Sequence, residues 1–499
     1  MAEKNSRDNT SVEKLEEVAD TNNRIEELSS TSAEEFESDQ EDEHVKTTNG
    51  YTVPKFSPRF PWFYTVLPFI ADELETETSE VQNSVAETCR KLMSGEEQPI
   101  KDLNSHGIPK LLRQKHVKFL THVLGPYPSP FQAMDASRPW ILYWGLAGLS
   151  HLDHDVSKFQ SGAIQTFTPL QNATGGFGGG HGQTSHCAAS YAATLSLAMV
   201  DALHMINRKT MWQWLGSVKQ RDGGFKMSIG GEEDVRGAYC AMTIITLLNL
   251  PLSLPPDSPA NVTGQETFLT GLGDWLGTCQ TFEGGIGGAP DNEAHGAYAF
   301  CCLACLCIMD APHRSIPRYL NMDRLLSWLS SRQPGPEGGF SGRTNKLVDA
   351  CYSHWVGGCW ALIEAAFVGT KNDSRGVVTT AGLFNREALV RYTLCCSQVK
   401  AGGLRDKPGT RQDGYHTCYS LAGLSAAQNH WRYEENQAVK IVSEHSAAFN
   451  WVPSRASAEE REQWAFDEQD TVGFVHPVFV IPPQVVERSK RQFENIVGF

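Results

Sequence analysis

The 499-residue sequence predicts an all-α protein, built as an α/α barrel or toroid of helical hairpin repeats. A glutamine is followed, four to six residues later, by the second glycine of a Gly-Gly pair. This happens five times along the chain, at Gln171, Gln220, Gln280, Gln333 and Gln398. The second glycines of successive pairs are 48, 61, 54 and 64 residues apart. Internal repetition of that length is typical of an array of supersecondary units.

Each repeat has the same order of features. A helical segment leads into the Gly-Gly loop, and in three repeats it carries a tryptophan, at Trp214, Trp275 or Trp328. A second segment then opens around a tyrosine and is apolar on nearly every side, which is typical of a buried helix. The repeat tyrosines are Tyr191, Tyr239, Tyr298, Tyr352 and Tyr419.

Helix, loop and buried helix in repetition predict two concentric rings of helices, with the inner N-termini and their loops gathered at one end. Helix N-termini carry free N–H groups and a partial positive charge, so a ring of them suits an anion such as a diphosphate. Before the first repeat, helices are expected over residues 81–93 and 107–123.

The composition argues against several classes of protein. The longest nearly pure apolar stretch, 297–309, has 13 residues, whereas a membrane-spanning helix needs about 20. No basic segment followed by an apolar core opens the chain, so we expect no secretory signal. The odd number of cysteines, 13, favours reduced thiols in the cytoplasm over a disulfide framework. There is no basic stripe, so no nucleic acid partner is expected.

Charge and repeat pattern divide the chain into four predicted segments. The first fifty residues hold 15 acidic and five basic side chains. Residues 1–57 are therefore expected to form an acidic, disordered N-terminal extension. A helical entry segment (58–100), the barrel with its five Gly-Gly repeats (101–450) and a C-terminal tail that packs on the barrel (451–499) follow.

Polar residues stand three positions before four of the five repeat tyrosines. These positions hold Ala188, Arg236, His295, Asp349 and His416. An aspartate alone would be an ordinary helix cap. An arginine, two histidines and an aspartate at one repeat position instead favour a functional ring, and we expect these side chains to converge.

A candidate metal site lies within this set. Asp349 and Cys351 are two residues apart, and His416 enters from the next repeat. Carboxylate, thiolate and imidazole can bind zinc as three protein ligands and leave a fourth position open for catalysis. The spacing is weak evidence alone, because such triplets occur by chance in long chains. A competing CxxC pair, Cys302 and Cys305, lies inside an apolar run and is expected to pack in the core.

Positive charge flanks the candidate metal site. Arg343 and Lys346 lie six and three residues before Asp349, and with His295 and Arg236 they would line the same rim. Phosphate oxygens prefer Arg and Lys donors, so these residues suit a diphosphate. Exposure of a charged loop to water is the simpler alternative.

Four longer motifs carry a family resemblance. They are DASRPW (135–140), NEAHGAYAF (292–300), GRTNKLVDACYSHW (342–355) and DKPGTRQDGYHTCYSLAGLSA (406–426). From about residue 100 to 476 the chain resembles the protein prenyltransferase β subunits, and among them those of farnesyltransferase. The resemblance implies a barrel paired with a separate α subunit, which transfers farnesyl from farnesyl diphosphate to the cysteine of a C-terminal CaaX sequence. CaaX-terminated proteins such as small GTPases are the expected substrates.

The resemblance also implies roles for single residues. One Zn²⁺ would be bound by Asp349, Cys351 and His416 and would hold the substrate thiol as a thiolate. Mg²⁺ would lie near Asp406, which with Tyr352 would act in catalysis at the diphosphate. The residues that would bind farnesyl diphosphate are Arg236, His295, Gly296, Ala297, Tyr298, Arg343, Thr344, Asn345, Lys346, Tyr352, Ser353, His354 and Trp355. The lipid and peptide cavity would be lined by Trp140, Trp144, Tyr191, Tyr239, Cys301, Trp355 and Tyr415.

Two residues depart from the family pattern: Ala297 replaces a usual glycine, and Gly414 replaces a frequent aromatic residue. The closest alternative is the β subunit of a geranylgeranyltransferase, and Trp140, which would shorten the cavity, favours the farnesyl enzyme. Triterpene cyclases also have glutamine- and tryptophan-containing repeats but need an acidic DxDD-type proton donor, which is not found here. A non-catalytic helical scaffold that binds peptides would leave the metal triplet unexplained.

Overall fold

The computed structural model describes residues 74–127, 129–263, 266–368, 383–435, 446–496 and 498–499. The predicted acidic extension and the first part of the predicted entry segment lie outside these residues. The α-helices are α1 (Glu77–Met93), α2 (Arg113–Val123), α3 (Arg138–His151), α4 (Gln160–Phe167), α5 (Cys187–Met199), α6 (Arg208–Val218), α7 (Val235–Leu247), α8 (Leu272–Thr278), α9 (Gly296–Met309), α10 (Pro312–Tyr319), α11 (Met322–Ser330), α12 (Tyr352–Trp355), α13 (Cys359–Val368), α14 (Arg386–Arg391), α15 (Gly414–Gln428), α16 (Ala458–Gln463) and α17 (Pro483–Phe493). An antiparallel hairpin, β1 (Asn429–Tyr433) and β2 (Trp451–Arg455), follows α15.

The helices form the two predicted rings. The inner ring consists of α3, α5, α7, α9, α12 with α13, and α15, and each packs against the next until α15 packs back against α3. These helices are buried on nearly all faces, whereas α2, α4, α6, α8 and α11 form an outer layer with exposed faces. Helix α14 is buried or half-buried along its whole length. The prediction of an all-α toroid is confirmed.

The apolar run within α9 illustrates the burial of the inner helices. Its four cysteines, including Cys302 and Cys305, are 0–4% exposed. The interpretation of the CxxC pair as core packing is therefore confirmed. Small residues also let neighbouring helices approach closely: a Cβ added to Gly145 or Gly148 of α3 would lie less than 3 Å from a leucine side chain of the α2 region. Among the described residues, no helix is long and apolar enough to cross a membrane.

Four of the five Gly-Gly loops share one geometry. A single antiparallel bridge joins the residue before the loop to the residue after the second glycine, as in Gln280 with Ile286 and Gln398 with Leu404. The first glycine has a left-handed backbone, with φ of +100° at Gly284. A Cβ there would lie 2.2 Å from the Arg324 carbonyl oxygen of the next outer helix, so only glycine fits.

A sixth loop of this kind precedes the five predicted repeats. Leu103 bridges Pro109, and Gly107 has φ of +73°. The helix expected over 107–123 consequently begins at Arg113, because the preceding residues form this turn.

The repeat glutamines join each loop to the start of a following outer helix. The Gln280 side chain donates to the Asn321 carbonyl (3.0 Å) and accepts from the Asn321 N–H (2.8 Å). Gln333 makes the same pair of bonds with Asn385. Asn321 and Asn385 are themselves the N-caps of α11 and α14. One amide side chain thus fixes the spacing between neighbouring hairpins.

Gln398 closes the ring. Its side chain donates to the Lys110 carbonyl (3.1 Å) and accepts from the Leu112 N–H (2.9 Å), which joins the last repeat to the first loop. In the second repeat the bridge to Phe225 comes from Lys219. Gln220 is therefore one residue out of register with the other glutamines, and its assignment to the repeat position is wrong.

The C-terminal tail lies against the inner ring. Residues 478–481 are buried, and the Tyr143 and Tyr239 hydroxyls donate to the Val480 and Val478 carbonyls (3.2 and 2.7 Å). Strand β2 belongs to the tail by sequence but pairs with β1, so the boundary predicted at residue 450 separates two paired strands.

We expect Gln398→Leu to lower the free energy of unfolding by about 2–4 kcal/mol, because it leaves the half-buried Leu112 N–H and Lys110 carbonyl without these partners. Gln220→Leu is the matched control, and its expected loss is below about 1 kcal/mol because Gln220 makes only a local side-chain bond, to the Val218 carbonyl. Urea unfolding followed by circular dichroism measures both. Equal losses would contradict the role of Gln398 in ring closure.

Candidate active site

The candidate site is built on the starts of the inner helices. In five hairpins the capping residue donates its N–H to the residue after the Gly-Gly pair, at 2.9–3.3 Å. Its side chain accepts a hydrogen bond from the N–H two or three residues further along the chain. The five equivalent residues are His186, Asp234, His295, Asp349 and Asp413.

This set corrects the equivalence predicted from the tyrosines. His295 is the N-cap of α9, and Asp349 holds the equivalent position two residues before Cys351, the N-cap of α12, so the prediction that placed them at one position is confirmed. Ala188 and Arg236 lie two residues after their caps, and His416 lies three residues after its cap. Counting back three residues from each tyrosine does not find equivalent residues, because the number of residues between the cap position and the tyrosine differs from one hairpin to another.

The structure brings the three predicted metal ligands together. Donor atoms of Asp349, Cys351 and His416 all lie within 4.8 Å of one another, and Asp349 Oδ1 is 3.5 Å from His416 Nε2. The Cys351 N–H donates to Asp349 Oδ1 at 2.8 Å. Oxygen, sulfur and nitrogen donors at this spacing suit a divalent metal ion with an open coordination position.

Asp413 orients the histidine, and the sequence analysis missed it. Its Oδ2 lies 2.5 Å from His416 Nδ1, and its Oδ1 accepts from the His416 N–H. Nε2 is therefore the ring nitrogen directed towards Asp349. Metal-binding histidines commonly use their second nitrogen in this way. An aspartate three residues before the candidate ligand was the available signal.

Burial and neighbouring charges shift the pKa values of all three triplet residues. Burial raises the pKa of Asp349, but the neighbouring His416 outweighs it and the pKa falls to about 2. Burial lowers the pKa of His416, yet Asp413 and Asp349 raise it well above its usual value. Burial, and then Asp349, raise the pKa of the Cys351 thiol above its usual range. A thiolate at this position would therefore need a nearby cation.

A group of cationic and hydroxyl side chains lies beside the triplet. The Tyr352 hydroxyl is 3.0 Å from His295 Nε2. Arg343 donates to Glu293 Oε2 at 2.6 Å, and the Thr344 hydroxyl donates to Glu283 at 3.3 Å. Burial, with a contribution from Arg343, lowers the pKa of the His295 imidazole to about 4, which keeps it neutral.

Arg236 lies on the same rim. Its guanidinium donates twice to the Asp234 carboxylate, at 2.9 and 2.8 Å, and lies 5.4 Å from the centre of the Tyr298 ring. Cys301 is buried one turn further along α9. Asn345 and Lys346 are exposed at the tip of the loop before Asp349. We name Arg236, His295, Arg343, Lys346 and Tyr352 the basic rim.

Asp406 connects to the triplet through its backbone. Its carbonyl accepts from the Ala350 N–H (2.8 Å) and the Tyr392 hydroxyl (2.9 Å). Its carboxylate is 2.5 Å from Lys407 Nζ. Burial, and next the charge of Asp349, raise the pKa of the Asp406 carboxyl.

A closed circuit of aromatic side chains, the aromatic collar, runs around the inner ring. Its members are Trp140, Tyr191, Tyr239, Phe300, Trp355, Tyr419, Tyr415 and Trp144. Neighbouring ring centres are 4.5–6.0 Å apart. Sequence reasoning missed Phe300 and Tyr419 as cavity residues. Counting five residues from the cap His295 would have found Phe300, as it does Tyr191 and Tyr239.

Some predicted diphosphate residues lie elsewhere in the structure. The His354 ring packs 4.5 Å from Phe300 and 5.3 Å from Tyr419, so it backs the collar. Ser353 is 1% exposed and packs against Gly423 of α15.

The glycine and alanine positions near the rim have separate constraints. The Gly296 N–H donates to the Gly342 carbonyl at 2.8 Å, and a Cβ there would lie 2.6 Å from Val356. Ala297 is half-buried in the first turn of α9. A Cβ on Gly414 would meet Val123 at 3.3 Å and Trp144 at 3.9 Å, so glycine leaves space beside the collar.

Comparison with known proteins identifies the family. The model of the prenyltransferase alpha-alpha toroid domain matches residues 111–481. The protein farnesyltransferase subunit beta of Pyricularia oryzae is 50% identical over 458 residues, covering 90% of this chain and 87% of the relative. The chain belongs to the protein farnesyltransferase β-subunit family. The Schizosaccharomyces pombe member is 35% identical over 427 residues, covering 85% and 98% of the two chains.

Geranylgeranyl transferase relatives are more distant. The type-2 subunit beta of Saccharomyces cerevisiae is 28% identical over 320 residues, covering 63% of this chain and 89% of the relative. Among solved structures, Candida albicans protein geranylgeranyltransferase-I complexed with GGPP aligns with a TM-score of 0.56 and 21% identity, covering 77% of this chain and 99% of that one. The structural match shows the shared toroid fold.

We expect Asp413→Asn to weaken Zn²⁺ binding about 10- to 100-fold, because the amide removes the charge that fixes the His416 ring while it can still cap α15. Asp234→Asn, at the equivalent cap of α7, is the matched control and should leave Zn²⁺ affinity unchanged. Competition with a chelator of known affinity measures both. Equal Zn²⁺ affinity in the two variants would contradict the orienting role of Asp413.

Proposed function

We propose that this chain is the catalytic β subunit of a heterodimeric protein farnesyltransferase. It transfers farnesyl from farnesyl diphosphate to the cysteine thiol of C-terminal CaaX sequences. The observation that carries the proposal is the position of the metal triplet. In a chain of this family, three mixed donors within 4.8 Å of one another lie next to both the basic rim and the aromatic collar.

Zinc is the metal we assign to Asp349, Cys351 and His416, because carboxylate, thiolate and imidazole are its usual ligands. When bound, zinc holds a coordinated substrate thiol as a thiolate near neutral pH. We assign Mg²⁺ to Asp406, since Mg²⁺ in diphosphate sites is held by one or two carboxylates together with phosphate oxygens.

The basic rim stabilises the departing diphosphate. Arg343 and Lys346 bring positive charge to the oxygens on which negative charge accumulates. The neutral His295 imidazole lies 3.0 Å from the Tyr352 hydroxyl and positions it. Before substrate binds, Glu293 holds the Arg343 guanidinium, and a phosphate oxygen can replace that carboxylate as its acceptor.

The aromatic collar binds the lipid. An unsaturated chain packs well against ring faces, and a wall of large apolar groups excludes water from the reacting carbon. Trp140 and Trp144 stack at 5.8 Å on α3 and narrow the collar on that side. We infer that this narrowing limits the length of the lipid.

The partner and the compartment follow from the same proposal. We assign a separate α subunit as the partner, as the name of the family implies a second subunit. All 13 cysteines are free and buried thiols, which suits a reducing compartment, and we propose that the protein acts in the cytoplasm.

Cys351→Ala and His416→Ala should each lose zinc and most farnesyl transfer in the complex co-expressed with an α subunit. Farnesyl diphosphate binding should change less than about threefold, because its proposed donors are other residues. Metal analysis, transfer to a CaaX peptide and lipid titration measure the three quantities. Cys307→Ala, which removes a buried α9 thiol outside the triplet, is the control; full zinc content in the first two variants would reject the ligand assignment.

Trp140→Thr should raise the kcat/KM for geranylgeranyl diphosphate relative to that for farnesyl diphosphate. Forcing extra carbons into a filled cavity costs about 1–3 kcal/mol, which corresponds to roughly a 5- to 150-fold preference that the smaller side chain removes. The measurement is the ratio for the two donors with one peptide. Trp212→Thr on the outer helix α6 is the control; if Trp140→Thr leaves the ratio unchanged, lipid length is set elsewhere.

A further inference from the structure

Helix α1 contacts the loop that carries two of the metal ligands. Its buried side, including Cys89 and Leu92, packs against the helical turn Tyr392–Ser397 that follows α14. Gln82, near its start, reaches two other segments: its Nε2 donates to Glu337 Oε1, and its Oε1 accepts from the Val348 N–H at 3.3 Å. One amide therefore connects α1 to both sides of the loop before Asp349.

Glu337 is an unusual residue for its position. It is 0% exposed, and its Oε2 has no hydrogen-bond partner among the described residues. Asp222 and Glu283 also precede Gly-Gly pairs, but they accept hydrogen bonds from toroid residues. Glu337 is bound instead by a helix that precedes the toroid. Burying a carboxyl group without a hydrogen-bond partner costs free energy, so the hydrogen bond from Gln82 on α1 stabilises Glu337 in this position.

Four consecutive N–H groups define the backbone at the metal triplet. The N–H groups of Val348, Asp349, Ala350 and Cys351 donate to Gln82 Oε1 (3.3 Å), the Phe340 carbonyl (3.0 Å), the Asp406 carbonyl (2.8 Å) and Asp349 Oδ1 (2.8 Å). Each acceptor comes from a different part of the chain, and the Gln82 amide is the one contributed by α1. Without it, the peptide between Leu347 and Val348 loses the acceptor of its N–H, one residue before Asp349.

We propose that Gln82 and Glu337 are positioning residues for the metal centre. Glu337 holds the Gln82 amide, the amide holds the Val348 N–H, and Asp349 and Cys351 are thereby kept at the spacing that binds a metal ion. The proposal rests on the proposed function for the identity of that ion, zinc. It makes α1, which precedes the matched residues 111–481, part of the active-site support.

The test uses the full complex with the α subunit and measures Zn²⁺ affinity at 25 °C by competition with a chelator. Gln82→Met keeps the length of the side chain but removes both hydrogen bonds, and we expect Zn²⁺ affinity to fall about 3- to 10-fold, less than for a direct partner of a ligand. Asn83→Met, at the exposed neighbouring position of α1, should leave it unchanged. The melting temperature of each variant is recorded separately.

Substitutions of Glu337 provide a second, independent test of the proposal. Glu337→Gln keeps an acceptor for the Gln82 amide and should retain Zn²⁺ affinity within about twofold, whereas Glu337→Met should weaken it as Gln82→Met does. If Glu337→Met does not fold, the Zn²⁺ affinities of Gln82→Met and Glu337→Gln test the proposal without it. A lower melting temperature with unchanged Zn²⁺ affinity in Gln82→Met would overturn the proposal, because it would mark a purely structural contact.

Different experimental results would reject the proposed function and the positioning role of Gln82 and Glu337. A wild-type complex that binds no zinc or transfers no farnesyl would reject the proposed function. A wild-type complex that does both, together with a Gln82→Met complex of equal Zn²⁺ affinity, would reject only the positioning role.

Discussion

The free N–H groups at the start of each buried inner helix need acceptors, and the active end of this toroid depends on that constraint. In five hairpins a side chain at the cap supplies the acceptor, and the same residue bonds back to the end of its Gly-Gly loop. Because this bond is the same in all five hairpins, the polar residues gather along a single rim. Asp349 shows the consequence: its Oδ1 accepts from Cys351 and also faces His416.

Acidic partners hold two arginines of the basic rim and the ring of the candidate ligand His416 in place. Asp234 binds Arg236 at two points, Glu293 binds Arg343, and Asp413 binds the His416 ring. Each pair restricts a long or rotating side chain before any substrate is present. Preorganised charge of this kind is effective in catalysis, because little reorganisation is left for the reaction itself.

The glutamine bridges and the aromatic collar stabilise different parts of the ring. The bridges, such as Gln398 to the first loop, set the spacing of hairpins on the outside of the ring. The collar lies inside, where ring contacts at 4.5–6.0 Å join every inner helix to the next. Together they produce a toroid with an apolar interior and a polar rim, and the candidate catalytic residues lie on that rim.

The sequence by itself determined the helical repeats, the buried character of the inner segments and the residue types of the metal triplet. Periodicity and residue chemistry are local properties, so they can be read without the fold. The tertiary structure decided which residues are equivalent: the caps precede their collar aromatics by five residues at His295 and Phe300 but by six at Asp349 and Trp355. It also decided the distant partners, such as Gln82, which lies 266 residues from Val348. Hydrogen bonds across such separations form only when the ring has closed, and no local pattern records them.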